Sequence, residues 1–369
     1  MSKVAITKCD TYDQGKVDQA VALACQNSDF PIVKDKIVLL KPNILSDAKA
    51  DQAITTNPAV VRAAIHFLRQ NGAKQILLGD SPGIQGPAFV PRNSGMSQLC
   101  FEESVQWVDF TKDTVTHLIP GTKNISLPLP RILEKIDVLI SLPKFKTHQL
   151  MYATGAVKNQ FGLVPGLHKS PCHVLCPARM DFASLIVGIN LIAKPSFALM
   201  DGIVGMEGAG PANGTPRHVG LILASNDCVA VDFAEATIMG YNPLSIPIVK
   251  QGLKRHLGEF PSYTLLDAKD LVIKDFQRIN QETEKSQLFA NLILPILTRP
   301  YRHMRIREKR MAPQFESSKC ILCQRCIQIC PADALTVKDK QIVINTHSCV
   351  RCYCCHEVCP ANAITIGKR

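Results

Sequence analysis

The chain has 369 residues, 46% of them hydrophobic and 20% charged, with a formal net charge of +11. That length allows two or more domains with a full apolar core, and the ordinary balance of apolar and charged residues excludes long intrinsic disorder. No stretch reaches about 18 apolar residues, so no membrane span is expected, and the N-terminal residues lack the apolar centre of a secretory signal. The expectation is a cytoplasmic protein whose positive charge favours acidic or anionic partners.

Residues 1–275 read as alternating strands and helices. Val4–Thr7 and Lys36–Leu40 are short β-rich runs. Asn57 has the chemistry of a helix N-cap, with Pro58 at the first helical position. Val60, Val61, Ala64, Ile65 and Leu68 then form an apolar stripe at helical spacing, stopped by Asn71-Gly72. Gln75–Leu78 and Asp137–Ser141 are the next strands, and Asp181–Ala193 is an apolar helix. Ser196–Met200 and Val219–Ala224 are strands, and Cys228–Met239 is a helix ended by Gly240. Near-continuous apolar strands between helices predict an α/β fold, a mostly parallel sheet with helices on both faces.

Residues 276–312 read as a connector. The polar stretch Gln277–Gln287 leads to an apolar run, Leu288–Leu297, broken by Pro295. A basic cluster follows: Arg299, Arg302, Arg305, Arg307, Lys309 and Arg310. The run is short and contains proline, which favours packing on protein over an interfacial membrane helix. The arginines suit docking of an acidic redox partner. No helix-turn-helix or other reading motif accompanies them, so nucleic acid is not an expected partner.

Residues 313–369 carry the strongest signal, in a small α+β domain. Nine of the fifteen cysteines fall between Cys320 and Cys359, and eight form one pattern written twice. Cys320, Cys323, Cys326 and Cys330 precede Pro331; Cys349, Cys352, Cys355 and Cys359 precede Pro360. Both copies read C-x2-C-x2-C-x3-C-P, the run that binds [4Fe–4S] clusters in bacterial two-cluster ferredoxins. Three thiolates of a copy close on one cubane and the fourth ligates the other. One cluster then takes Cys320, Cys323, Cys326 and Cys359; the other takes Cys349, Cys352, Cys355 and Cys330. The tails match as well, Pro-Ala-Asp-Ala-Leu-Thr-Val against Pro-Ala-Asn-Ala-Ile-Thr-Ile, which marks a duplicated half-module. Zinc would use paired C-x2-C units, and disulfides would need an oxidising compartment. Cys354 is out of register and reads as a packed thiol. Cys9, Cys25, Cys100 and Cys228 read as free thiols. His168, Cys172, His173 and Cys176 offer donors for a further metal, although ordinary loop thiols and histidines are the simpler reading.

In open parallel sheets, ligands bind beyond the carboxyl ends of the strands. Each predicted strand here runs into a polar cluster at that end. These are Lys41-Pro42-Asn43, Gly79-Asp80-Ser81, Ser141 to Lys144 followed by Lys146 and His148, Asp201-Gly202, and Ser225-Asn226-Asp227. Lys41, Lys144, Lys146 and Lys158 are not turn formers and suit an anion, with Asn43 and Asn159 as neutral donors. Asp80, Asp201 and Asp227 are placed to hold the lysines, and His148, Lys144 and Asp201 are the candidates for proton chemistry. No dinucleotide, Walker or nucleophile-elbow motif is present.

Lys41-Pro42-Asn43, Gly79-Asp80-Ser81, Pro143–His148, Gly155–Asn159, Asp201-Gly202 and Glu207–Pro211 together resemble the family called domain of unknown function 362. Members of that family are often fused to a C-terminal two-cluster ferredoxin module. The resemblance implies this architecture and names no reaction. The expectation is an iron–sulfur protein with two [4Fe–4S] clusters and a redox partner protein. Its tail either feeds electrons to an anionic small molecule at the α/β rim, or serves a carrier or cluster-delivery protein whose α/β domain docks a partner.

Overall fold

The computed structural model describes residues 1–84, 89–281 and 311–367. The apolar run and basic cluster of the connector lie outside the described residues. The chain divides into two units, Met1–Arg278 and Ile279–Arg369. No helix among the described residues is long and apolar enough to cross a membrane.

The strands of the first unit are β1 (Ser2–Lys8), β2 (Ile37–Pro42), β3 (Gln75–Gly79), β4 (Gln106–Val108), β5 (Thr114–Leu118), β6 (Ser126–Pro130), β7 (Val138–Leu142), β8 (Lys144–His148), β9 (Tyr152–Ala153), β10 (Phe197–Glu207), β11 (Thr215–Ser225) and β12 (Pro261–Thr264). Its helices are α1 (Gln14–Gln26), α2 (Pro58–Gln70), α3 (Met96–Glu102), α4 (Gly155–Asn159), α5 (Cys172–Leu175), α6 (Arg179–Ala193), α7 (Cys228–Ile238) and α8 (Pro247–Lys254). Among the described residues a ten-stranded sheet forms in the order β12-β1-β11-β10-β7-β2-β3-β4, with β8 and β9 branching from β10. All neighbours on this path are parallel except those of β11, which runs against β1 and β10. The mostly parallel α/β architecture is therefore as expected.

The strands are apolar throughout because both faces are covered. Val38, Leu40, Leu78, Ile140 and Leu199 pack with the apolar stripes of α1 and α2. The alternate residues Leu39, Leu77, Leu139 and Met200 are equally buried, and α7, absent from that cluster, packs on β1, β10 and β11. The start of α2 follows its sequence: Asn57 accepts the Ala59 N–H at 2.9 Å ahead of Pro58.

Two expectations fail. Lys146 and His148 are not in a loop, because Lys144–His148 forms β8, all five residues buried. The strand β10 runs eleven residues, and its far half pairs Asp201 with Lys144 and Met206 with Lys146. A Lys-Phe-Lys-Thr-His segment lacks the apolar signature of a core strand, which hides it in the sequence.

Asp227 is the second correction. Since β11 is antiparallel to β10, Ser225 pairs with Ala198, at the opposite rim from Asp201. Asp227 is a structural cap there. Its carboxylate accepts the Val229 and Ala230 N–H groups at 2.8 and 3.1 Å, the Glu259 N–H at 2.7 Å and the Ser2 hydroxyl at 2.8 Å. Asp227→Ala should lower stability by about 2 kcal/mol, the upper end for loss of a cap. Urea unfolding of the two proteins measures this.

The second unit pairs β13 (Ala312–Phe315) with β16 (Ile364–Gly367), and β14 (Leu335–Lys338) with β15 (Gln341–Ile344). Two short helices, Arg325–Gln328 and Cys354–Glu357, occupy matching places in the two halves. Leu322, Gln324 and Asp333 adopt positive φ, and so do Arg351, Tyr353 and Asn362, each pair related by the repeat. The sequence duplication is thus a backbone duplication.

Candidate functional site

At the carboxyl ends of β2 and β3, Lys41 meets Asp80. The Lys41 Nζ lies 2.7 Å from Asp80 Oδ1 and 3.2 Å from Asn159 Oδ1. Lys41 is fully buried and the Asp80 side chain is 3% exposed. Burial pulls the Lys41 ammonium down from its ordinary value, and the Asp80 charge opposes that shift. Asp80 also accepts the Ile44 N–H at 2.6 Å and the Ser81 N–H at 2.9 Å. Asn159 donates to the Lys41 carbonyl at 3.0 Å and to Ser141 Oγ at 3.1 Å, and its Oδ1 accepts from Asn43 Nδ2 at 3.2 Å. These contacts bring Lys41, Asn43, Asp80 and Asn159 together as expected.

Lys144 makes a second buried pair. Its Nζ lies 2.7 Å from Asp201 Oδ2 and 2.9 Å from the hydroxyl of Tyr12, whose ring centroid is 5.4 Å away. The Tyr12 hydroxyl donates to Asp201 Oδ1 at 2.9 Å and accepts the Val204 N–H at 3.1 Å. Burial, then the Asp201 charge, pushes the Tyr12 phenol far up, and burial pulls the Lys144 ammonium down. The Asn57 N–H closes the group on Asp201 Oδ2 at 2.8 Å. The two pairs share one rim: Thr56 donates to the Leu142 carbonyl at 2.6 Å and accepts the Asn43 N–H at 2.9 Å. Tyr12 escaped sequence reading because β1 ends four residues earlier, at Lys8, and only the parallel course of β1 and β10 carries that loop to Asp201.

Lys146 and His148 do different work. The Lys146 Nζ donates to the Ile54 carbonyl at 2.6 Å, and its backbone N–H reaches Glu235 Oε1 at 3.1 Å. His148 Nδ1 accepts the Leu150 and Met151 N–H groups at 3.1 and 3.4 Å, which assigns the ring proton of the neutral form to Nε2. Behind β8, Asp232 accepts the Ala156 N–H and, at 3.1 Å, the Val157 N–H. Burial raises the Asp232 carboxyl to about 8 and pushes Glu235 well up.

Lys158 and Lys169 complete the Lys41 end. Lys169 Nζ lies 3.5 Å from Ser81 Oγ and also donates to the Val164 carbonyl, while Ser81 Oγ accepts the Gly166 N–H at 2.8 Å. Lys169 as a whole is half-buried, yet burial of its amine brings the ammonium down to about 7, with Asp80, Lys41 and Lys158 all close enough to act on it. Lys41 pairs with Asp80, Lys169 lies close enough to both to feel their charges, and Lys158 lies close to Lys169. Nearby chain leaves polar atoms without a protein partner among the described residues: Asn43 Oδ1, Thr55 Oγ1 and both ends of the fully buried Gln160. Lys169 was missed because its Gly-Leu-His-Lys context reads as an ordinary loop.

The block His168 to Cys176 holds no such cluster. Cys172 Sγ faces the His168 carbonyl at 3.4 Å, and the His173 ring stacks on Phe182 at 4.3 Å. Among the described residues no group of three His, Cys, Asp or Glu side chains is placed to hold a single metal ion.

In the second unit the cysteines line two cavities. Cys320, Cys323, Cys326 and Cys359 face one, walled by Phe315, Ile342 and Ile364. Cys330, Cys349, Cys352 and Cys355 face the other, walled by Leu335, Ile344 and Tyr353. Backbone N–H groups point at the sulfurs: Ala334 to Cys330 and Ala363 to Cys359, each at 3.3 Å. Four thiols around an apolar-walled space fit an iron–sulfur cubane.

Comparison with known proteins agrees. A family model described as domain of unknown function (DUF362) matches residues 38–237, and a 4Fe-4S dicluster domain matches residues 312–360. The chain belongs to the DUF362 family. Its C-terminal unit is a ferredoxin-type module for iron–sulfur electron transfer, which implies a redox partner. A thylakoid-associated protein of Synechocystis is 31% identical over 252 residues, 65% of this chain and 75% of that protein. A crystal structure of a Thermotoga maritima protein is similar at 15% identity, TM-score 0.35, over 57% of this chain and 55% of that one. The lactate racemase apoprotein of Thermoanaerobacterium thermosaccharolyticum gives 12% identity and TM-score 0.39 over 59% and 54%. This DUF362 chain therefore spans little more than half the length of either solved chain.

The buried acid of the DUF362 unit gives a pH dependence. Asp232 holds its proton in the folded state up to about 8, whereas the unfolded chain releases it near 3.8. Its contribution is full at low pH and is lost as pH rises across that window. Stability should therefore fall between about pH 5 and pH 8 by a slope that Asp232→Asn reduces. Urea midpoints measured across this range test it.

Proposed function

We propose that this protein carries two [4Fe–4S] clusters in its tail and passes electrons to or from an anionic small molecule held at the rim of the DUF362 sheet. The domain organisation that goes with it is 1–275, 276–312 and 313–369. The observation that carries the cluster reading is the crossed lining of the two cavities, three cysteines of one repeat with the last cysteine of the other. When bound, such clusters supply one-electron transfer at potentials set by hydrogen bonds and solvent exposure. The residues of this chain hold them through thiolates, keep water out with Phe315, Leu335, Ile342 and Ile364, and aim N–H groups at the sulfurs.

Iron and acid-labile sulfide should each approach about eight per chain after anaerobic reconstitution. Cys330→Ala should remove the same spectroscopic component as Cys349→Ala, and Cys359→Ala the same as Cys320→Ala. Pairing of Cys330→Ala with Cys320→Ala would show uncrossed ligation.

The anion reading rests on the Lys41, Lys158 and Lys169 group around Asp80, with Ser81, Asn43 and Asn159 beside it. These lysines lie next to buried polar atoms without a partner among the described residues, whose desolvation costs about 1–3 kcal/mol each unless something binds them. Lys144 and Lys146 belong to the frame in this reading, since Asp201 and the Ile54 carbonyl already occupy them. That occupancy also favours a second reading, in which the DUF362 unit is a docking platform of a carrier or cluster-delivery protein. Titration calorimetry with inorganic phosphate and small carboxylates separates the two. Binding that falls at least tenfold in Lys158→Ala/Lys169→Ala, with iron content unchanged, supports the anion site. No heat with any small anion, but salt-sensitive reduction by a protein donor, supports the platform.

A further inference from the structure

The amides around the Lys41–Asp80 pair are fixed in orientation by their neighbours. The Lys41 carbonyl can only accept, so the nitrogen of Asn159 must face it; Nδ2 stands 3.0 Å from that carbonyl and 3.1 Å from Ser141 Oγ. Asn159 Oδ1 is thereby turned to the other side, where it takes Lys41 Nζ and Asn43 Nδ2 at 3.2 Å each. Exchanging the two ends of Asn43 would set oxygen against oxygen, so this amide is fixed as well. Its Oδ1 is left as a buried acceptor with no partner among the described residues. Lys41 has nothing to spare for it or for a ligand, because its three protons go to Asp80, Asn159 and the Pro42 carbonyl at 2.7, 3.2 and 3.3 Å. The sequence marks Asn43 as a donor; the network leaves it an acceptor.

Register sets this acceptor beside the lysines. In the parallel pair of β2 and β3, Leu40 is opposite Leu78, and Asn43 and Ser81 each follow three residues on. Neighbouring strands stand about 4.8 Å apart, and the Ile44 and Ser81 N–H groups close on the same Asp80 carboxylate. Ser81 Oγ in turn lies 3.5 Å from Lys169 Nζ. A small molecule that touches Ser81 and Lys169 is thus within reach of Asn43. We propose that the anion held here brings its own hydrogen-bond donor: its charge lies at Lys158 and Lys169, and a hydroxyl beside that charge donates to Asn43 Oδ1, which makes Asn43 a specificity-determining residue. A hydroxy carboxylate and hydrogen phosphate both meet this demand. Simple carboxylates and sulfate carry acceptors only and leave oxygen facing oxygen at Asn43. A site built around such a hydrogen bond rejects the analogue that lacks the hydroxyl. The inference rests on the anion reading.

The test is titration calorimetry on the full-length protein at neutral pH with two matched pairs of probes, glycolate against acetate and hydrogen phosphate against sulfate. The unaltered protein should bind the donor-bearing member of at least one pair about tenfold more tightly, or better. A preference in the carboxylate pair identifies a hydroxy acid; a preference in the phosphate pair identifies hydrogen phosphate. Asn43→Leu, with a urea midpoint to confirm its folding, should lose that preference and keep the weaker affinity for acetate or sulfate. Asn43→Ala takes its place if that chain does not fold. Equal binding within both pairs would overturn the proposal and leave the anion reading standing. So would a preference that survives in the folded variant. No heat from any of the four probes would overturn both.

Discussion

Two ammonium–carboxylate pairs closed off from water set the geometry of the large unit. Lys41–Asp80 ties the end of β2 to the end of β3, and Lys144–Asp201 ties β8 to β10, each at 2.7 Å. Stripping water from such ions costs several kcal/mol apiece, and attraction alone does not offset it. The remaining lone pairs must be filled, and here they are. Asp80 takes the Ile44 and Ser81 N–H groups, and Asp201 takes Tyr12 and the Asn57 N–H. Three connections, after β1, β2 and β3, are therefore fixed by the need to satisfy two carboxylates. Displacing any of them exposes a buried charge, so the rim is a rigid frame on which the half-buried Lys158 and Lys169 are presented.

The tail solves a different problem. Its core of Cys326, Leu335, Ile342, Cys355 and Ile364 is small, and two of those five residues belong to the cysteine repeats. A module of fewer than about 70 residues needs a staple beyond its apolar core. On the proposed crossed ligation the metal ligands and the core share side chains, which couples loading with iron to folding.

The ferredoxin-type module of the tail was legible in the sequence, because ligand spacing is set by covalent reach and survives without any knowledge of the fold. The sequence disclosed the ends of β2 and β3 as well, since strand, then lysine or aspartate, is a local pattern. It failed where the answer depended on strand direction. Asp227 follows an apolar strand just as Asp201 does, yet β11 alone reverses and carries it to the other rim. It failed again at β8, where Lys144, Lys146 and His148 look solvated and are buried because β10 is twice as long as its apolar run. Tyr12 and Lys169 come to the rim from outside the strand ends, and no local pattern encodes such an arrival.

Gly162 bears on time rather than on energy. A side-chain carbon at this position would stand 2.1 Å from Asp80 Oδ1 and 2.5 Å from Lys41 Nζ. Bare backbone is thus laid directly over the ion pair, with no room for a methyl group or a solvent molecule between them. Protons on that lysine can exchange with bulk water only when the turn lifts away. Exchange of these protons is then governed by the opening of one backbone segment, not by the chemistry of the amine.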